Sequence, residues 1–237
     1  MSETYSRRDL ARWGVLDLVR REAVRDRLIA SVAMPPASVF EVLLSQWSAA
    51  QGLMSQAALD RWLEQRGLSP GDLPALVSRS WRWQQWCERE GSSGLNSRFL
   101  DRKGGLDQVT FWRLLCSDHE LIAELHQRLR GEETGFEQLA EQAQASRGLF
   151  AVEHVGPVAL EELSPPLAAL LRVSEVGVIW APRPASAGEW QIVLLEQRHP
   201  AALNPTLRGR LLEELGEARL AEALKEPESH ANAEAEL

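Results

Sequence analysis

The stretch QVTFWRLLCSDHELIAELHQRLRGEETGFEQLA, residues 108–140, decides the fold class of this chain. Its first nine residues, QVTFWRLLC, are rich in β-branched and aromatic side chains and predict a buried strand. Ser117 and Thr134 each stand three residues before a glutamate, which is the spacing of a helix capping box. The two boxes predict helices at about 118–130 and 135–145.

The residues that follow predict one helix and two more strands. SPPLAALLRV (164–173) is typical of a short helix opened by prolines. VGVIWAP (176–182) and EWQIVLLEQ (189–197) are apolar runs separated by turn residues, and they predict two strands joined by a turn. The glycine-containing stretch near 148–158 is given no element. Strands of this kind, few and close in sequence, indicate a small antiparallel sheet.

Residues before this region predict helices only, with apolar side chains at helical spacing. The predicted helical stretches are 7–33, 38–50, 55–67, a long one from Ser69 through Cys87, and 94–102. A change of pattern is expected at KGGLD (103–107), where the first strand region begins. Asn204 and Pro205 open a last amphipathic helix, which is predicted to end at about Leu224.

This order of elements predicts the α+β class, in which helices and an antiparallel sheet are segregated. The expected domains are an all-helical domain at 1–103 and a small sheet domain with flanking helices at 104–200. A C-terminal helix at 201–225 should pack back on the helical domain, because its leucines need an apolar partner. The acidic tail at 226–237 is expected to be disordered.

Composition excludes several classes of protein. The 237 residues are 44% apolar and 25% charged, which excludes a wholly disordered chain or a disulfide scaffold. No apolar run reaches the roughly 18 residues of a membrane span, so no membrane insertion is expected. The net charge of −8 argues against broad nucleic-acid binding. Cys87 and Cys116 are expected as free thiols, and the absence of a secretion signal predicts a cytoplasmic protein.

Motifs for nucleotide binding and for serine hydrolases are absent from the sequence, and the histidine spacing does not suit a metal site, so neither cofactor nor metal is expected. Nine tryptophans are unusual, and RSWRWQQW (79–86) places three of them beside arginines. Three interpretations stay open for this segment: a helix–helix core, a surface for single-stranded nucleic acid, and a groove for apolar peptide. Its continuous apolar face favours the core.

The order of elements over about 105–200 resembles the parvulin (PpiC-type) peptidyl-prolyl cis-trans isomerase domain. GEETGFEQLA (131–140) is similar to that family's helix motif G..F..LA, and EWQIVLLE (189–196) is similar to its closing strand G-x-H-I-I-x-L-E. The flanking helices resemble the chaperone half of SurA-type proteins. The resemblance implies an isomerase domain joined to a helical chaperone module, with proline-containing polypeptides as clients.

The same resemblance implies the site residues. The family's first-strand histidine corresponds to Arg113 and its second histidine to Gln191. Its cysteine or aspartate beside the proline ring corresponds to a position near Ser146. Its apolar pocket residues, four apart, correspond to Leu163 and Leu167. Both histidines are therefore replaced, whereas the apolar pocket is kept.

These replacements bear on the chemistry. Isomerisation requires rotation over a barrier of about 18–20 kcal/mol, which an enzyme lowers by binding the twisted amide best. Arg113 is permanently charged, and Gln191 forms hydrogen bonds but does not titrate. The resemblance implies a peptidyl-prolyl isomerase or foldase with a degenerate catalytic centre. The alternatives are a non-catalytic peptide-binding chaperone or adaptor, for example for exported polypeptides, and a chain in which both residues are merely solvated.

Overall fold

A computed structural model describes residues 5–145, 148–185 and 188–225. The helices are α1 Arg7–Arg12, α2 Leu16–Ile29, α3 Ala37–Ala50, α4 Gln56–Gln65, α5 Leu73–Gly91, α6 Leu95–Leu106, α7 His119–Arg130, α8 Phe136–Ala145, α9 Pro165–Val173 and α10 Pro205–Ala223. The strands are β1 Gln108–Cys116, β2 Phe150–Ala159, β3 Arg183–Pro184 and β4 Trp190–His199. Short 3-10 turns cover Pro70–Asp72 and Leu160–Glu162. The fold is α+β, as predicted.

The chain divides into two compact units. Of the described residues, 5–98 and 204–225 form a helical unit, and Phe99–Leu203 form a sheet unit. The division lies inside α6. The helical unit is therefore discontinuous in sequence, with the whole sheet unit inserted into it.

Helix α5 is the centre of the helical unit, and α2, α3 and α10 pack against it. Trp83 and Trp86 on α5 are each 5% exposed, so the tryptophan-rich segment is a helix–helix core. Helix α10 buries Leu211 and Leu220 in this unit. The prediction that the C-terminal helix packs on the N-terminal helices is confirmed.

The arginines near these tryptophans are bound within the helical unit. Arg79 forms ion pairs with Glu22 and Asp26 on α2, with N–O distances of 2.6 Å to both. Arg82 donates a hydrogen bond of 2.7 Å to the carbonyl oxygen of Ile29. These contacts tie the N-terminal helices to α5, where Trp83 and its neighbours are buried.

The sheet is antiparallel, with strand order β2-β1-β4-β3, so β1 and β4 are its central strands. One face packs under α7 and α8 and buries Leu114, Ile122, Leu139 and Ile192, among others. The other face packs against α9. We call its buried residues the α9-face cluster: Val109, Phe111, Leu160, Leu167, Leu170, Leu171, Val193 and Leu195.

The structure corrects four predictions about helices and strands. The stretch 7–33 contains two helices, which are separated at Gly14. Helix α6 continues through Lys103 and both glycines to Leu106, so the change of pattern expected at 103–107 comes later. The stretch near 148–158 holds strand β2. VGVIWAP (176–182) is not a strand: only Ile179 forms a bridge to β4, and β3 starts after it.

Candidate functional site

Arg113 and Gln191 are brought together, although 78 residues separate them in sequence. Arg113 lies directly opposite Val193 of β4, and residues opposite each other in an antiparallel pair project on the same face. Its Nε donates a hydrogen bond of 3.0 Å to Oε1 of Gln191. Gln191 is only 6% exposed, whereas Arg113 is half-buried. The pair therefore lies on the face of the sheet that carries the α9-face cluster.

Leu163 and Leu167 also lie on this face but differ in accessibility. Leu167, in the first turns of α9, is 5% exposed and belongs to the α9-face cluster. Leu163 precedes the helix, is half-buried, and packs on the edge of the same cluster. Leu163 is therefore the one of the two with a surface that a ligand can touch, and Leu167 supports it from inside the core.

Ser146, the third residue expected at a catalytic position, lies outside the described residues.

Trp180 and Arg183 join this face without having been singled out in the sequence. The Nε1 of Trp180 donates a 2.7 Å hydrogen bond to Oγ of buried Ser174, and its ring packs on the α9-face cluster. The guanidinium carbon of Arg183 lies 4.5 Å from the centre of that ring, a cation–π contact. Arg183 is also directly opposite Gln191 in the β3–β4 pairing. In the sequence, the one feature that could have indicated these two residues is the aromatic and the cationic side chain close together in WAPRP (180–184).

His154, which is adjacent in sequence to the strand partner of Arg113, belongs to the opposite face of the sheet. His154 lies directly opposite Trp112, and their rings stack at 4.3 Å. Its Nε2 is 2.7 Å from Oε2 of Glu196. Since Trp112 packs toward α7 and α8, the imidazole is separated by the sheet from Arg113 and Gln191. The α9 face thus offers hydrogen-bond donors, an amide and apolar contacts, but β2 contributes no imidazole to it.

The face under α7 and α8 carries a cavity of about 490 Å³, with Trp112 and Phe136 among its apolar walls and Glu132, Glu137 and Glu196 among its acidic ones.

No cluster of three or more potential metal ligands occurs in the described part of the chain. Within the same ranges, no helix has the length and apolar character needed to cross a bilayer.

Fold and site together define an α+β protein with a four-stranded antiparallel sheet whose α9 face carries a hydrogen-bonded Arg113–Gln191 pair beside apolar side chains. No protein-family model matches the sequence, and no curated protein sequence matches it. Solved structures are similar to this chain at low sequence identity.

Three of these structures illustrate the similarity. The peptidylprolyl isomerase PrsA from Bacillus anthracis is 17% identical, with 88% of this chain and 96% of that chain covered and a TM-score of 0.41. PrsA from Bacillus cereus is 14% identical, with 92% and 82% covered and a TM-score of 0.46. A SurA-like chaperone from Campylobacter jejuni is 9% identical, with 90% and 82% covered and a TM-score of 0.24.

Proposed function

We propose that this chain binds proline-containing segments of polypeptides on the α9 face of its sheet and accelerates their isomerisation weakly. The observation that carries the proposal is the 3.0 Å hydrogen bond between Arg113 and Gln191, which lies beside an apolar surface that includes Leu163. A proline ring needs a dry apolar contact, and the adjacent peptide carbonyl needs a hydrogen-bond donor. Both are present on one face.

Weak acceleration follows from the chemistry of the pair. Catalysis requires contacts that are stronger in the twisted amide than in either planar form. The guanidinium of Arg113 carries a fixed charge, and its Nε is already bound to Gln191. Neither residue can adjust its protonation as the amide rotates. The pair therefore favours binding over turnover.

The first test restores imidazoles at both positions. Arg113→His with Gln191→His is expected to raise the isomerisation rate of a Xaa-Pro peptide roughly tenfold, equivalent to about 1.4 kcal/mol of barrier. Two neighbouring imidazoles replace a fixed charge with groups that both donate and accept protons. The rate is measured by NMR exchange spectroscopy, which needs no coupled protease.

A matched control carries the same two substitutions on helix α7, which covers the opposite face: Gln127→His with Arg130→His. This control should leave the rate unchanged. A wild-type rate equal to that of an efficient isomerase, or a folded double variant at Arg113 and Gln191 without any gain, would contradict the proposed role of the pair.

A second candidate function, a chaperone for apolar segments of unfolded polypeptides, is favoured by helix α3. This helix, ASVFEVLLSQWSAA, is strongly apolar, yet it contains no buried residue. Val42 on α3 is 54% exposed, and Met54, which follows it, is 85% exposed. An apolar helix surface that is left open in this way is available to another chain.

The chaperone function predicts an effect of charge on this surface. Val42→Lys with Met54→Lys should at least halve the ability of the protein to suppress aggregation of a reduced, unfolded test protein, followed by light scattering. The reason is that apolar contact is lost when a charged group must stay hydrated. Val176→Lys, at a residue that is 58% exposed in the sheet unit, serves as the control. Equal suppression of aggregation by the wild type, the α3 double variant and Val176→Lys would exclude α3 as the binding surface.

A further inference from the structure

The cavity of about 490 Å³ under α7 and α8 combines apolar and acidic walls, and its described lining residues all belong to the sheet unit. Its apolar lining residues are buried or half-buried: Trp112, Leu129, Phe136, Ile179 and Leu194. Its acidic lining residues are exposed: Glu132, Glu133, Glu137 and Glu196. The cavity therefore has an apolar floor and an acidic rim, and no arginine or lysine is among the described residues that line it.

Three of the four carboxylates lie at the turn between α7 and α8. A Cβ added at Gly131 would lie 3.6 Å from Oε1 of Glu133, and one added at Gly135 would lie 3.2 Å from Oε2 of Glu137. Both side chains therefore fold back onto the turn. Among the residues that the structure describes, no cationic side chain pairs with Glu132, Glu133 or Glu137. Three negative charges on one short turn attract a cation.

The fourth carboxylate is held by the sheet. Oε2 of Glu196 on β4 lies 2.7 Å from Nε2 of His154 on β2, and the ring of His154 stacks on Trp112 of the floor. The carboxylates that are open to a ligand are therefore those of the turn.

Glu132 occupies a backbone position that favours glycine. The N–H groups of Glu132 and Glu133 donate to the carbonyl oxygens of Leu129 and Arg128, at 3.3 and 3.0 Å, which is the hydrogen-bond pattern of a helix end with a left-handed residue. That residue is Glu132, with a φ of 56°. Glycine would adopt this conformation without a steric cost, whereas glutamate places a carboxylate directly beyond the end of α7.

An apolar floor with a carboxylate rim matches one kind of side chain. Arginine has an apolar stem that packs on apolar surface and a charged head that stays at the surface. Its planar guanidinium binds carboxylates through two parallel charge-assisted hydrogen bonds, a geometry that the compact ammonium of lysine lacks. An anionic group would be repelled by the rim, and a purely apolar group would gain nothing from it.

We propose that this cavity binds an arginine side chain of a partner polypeptide. The stem packs on the floor at Trp112 and Leu194, and the carboxylates of Glu132 and Glu137 bind the guanidinium. The cavity lies on the face of the sheet opposite the Arg113–Gln191 pair, because Trp112 packs toward α7 and α8. The inference therefore goes beyond the proposed function and does not depend on it.

The experiment compares three uncharged-terminus peptides, acetyl-Gly-Leu-Xaa-Leu-Gly-amide, in which Xaa is arginine, lysine or citrulline, the neutral isostere of arginine. Each is titrated into the ¹⁵N-labelled full chain, and the backbone amide signals of Gly131 and Gly135 report occupation of the cavity. The arginine peptide should bind about tenfold more tightly than the citrulline peptide at low salt, with lysine between them. The difference should shrink at 1 M salt, where the screening length is about 3 Å.

Charge-matched variants locate the effect. Glu132→Gln with Glu137→Gln should weaken binding of the arginine peptide at least about fivefold. Glu120→Gln with Glu124→Gln removes the same charge from exposed positions of α7 outside the cavity and should leave binding unchanged.

Glu132→Gly separates binding from stability. Because glycine suits a φ of 56°, the urea midpoint should stay the same or rise, while binding of the arginine peptide should fall about threefold. A loss of binding in a variant of undiminished stability is not a result of unfolding.

Three results would overturn the proposal. Equal affinity for the arginine and citrulline peptides would contradict recognition of the guanidinium charge. An equal loss in both double variants would mean that the net charge of −8, rather than the cavity, attracts the peptide. Shifts of the side-chain amide of Gln191 without shifts at Gly131 and Gly135 would place the peptide on the α9 face, so that the cavity site fails while the proposed function stands.

Discussion

Gly156→Ala is expected to destabilise the protein by more than about 3 kcal/mol, because it combines backbone strain with a clash between main chains. Gly156 has a φ of 124°, a conformation that L-residues rarely adopt. A Cβ at this position would lie 2.8 Å from Cα of Thr110 and closer still to the carbonyl oxygen of Val109. Neither atom can move without disturbing β1, the central strand to which β2 pairs.

The free energy of unfolding from urea denaturation of wild type and variant measures this effect. Gly104→Ala is the matched control, since a Cβ at Gly104 would meet nothing within 4 Å and the residue lies inside helix α6. That change should be neutral or stabilise by up to about 1 kcal/mol. The pairing of β1 with β2 shifts register between Val109 and Phe111, next to this contact. A loss below about 1 kcal/mol for Gly156→Ala would show that the two strands can separate there without cost.

Gly216→Ala is expected to destabilise the helical unit by about 2–3 kcal/mol through overpacking. Gly216 of α10 faces α5, and its added Cβ would overlap Sγ of Cys87. The next atoms, Cβ of Cys87 at 3.3 Å and Cζ2 of Trp83 at 3.4 Å, leave little room for relief. The close approach of the two helices therefore depends on a glycine at this position.

Removing the thiol should rescue this variant. Cys87→Ala with Gly216→Ala replaces the overlap by a contact of 3.3 Å, and the double variant also gains the helix propensity of alanine. Burial raises the pKa of the Cys87 thiol to about 12, so no charge is lost with it. A double-mutant cycle of unfolding free energies should give a favourable coupling of at least about 1 kcal/mol. Additive effects would place the cost elsewhere than at the Cys87–Gly216 contact.

Local signals predicted many of the elements of the sheet unit. Strand β1 has the predicted bounds. Helix α7 was also predicted, but its cap is Asp118 instead of Ser117: Asp118 accepts hydrogen bonds from the backbone of Glu120 and Leu121. Strand β2 was missed because its middle, EHVGP, is mostly exposed and contains glycine and proline, which weaken the strand signal. Only pairing with β1 makes it a strand, and pairing is not local information.

The segment VGVIWAP shows the opposite error. Its apolar run predicted a strand, but Trp180 turns its side chain onto the α9-face cluster, and its backbone bonds to Val193 without forming a continuous ladder. For the candidate site, the family resemblance pointed to Arg113 and Gln191, and these two residues are neighbours in the structure. No spacing in the sequence relates Arg183 to Gln191, because that relation depends on the register of β3 against β4.

The discontinuity of the helical unit has a consequence during synthesis on the ribosome. Residues up to Arg98 emerge first, yet α10, which covers Cys87 and Trp83, is made only after the whole sheet unit. At roughly 5–20 residues per second, the interval between Arg98 and Ala223 lasts roughly 6–25 s. The inserted sheet unit can complete its fold within that interval. Until α10 follows, Trp83 and Cys87 on the nascent helices are exposed on the side that α10 later covers. The growing chain is then itself a client for molecular chaperones.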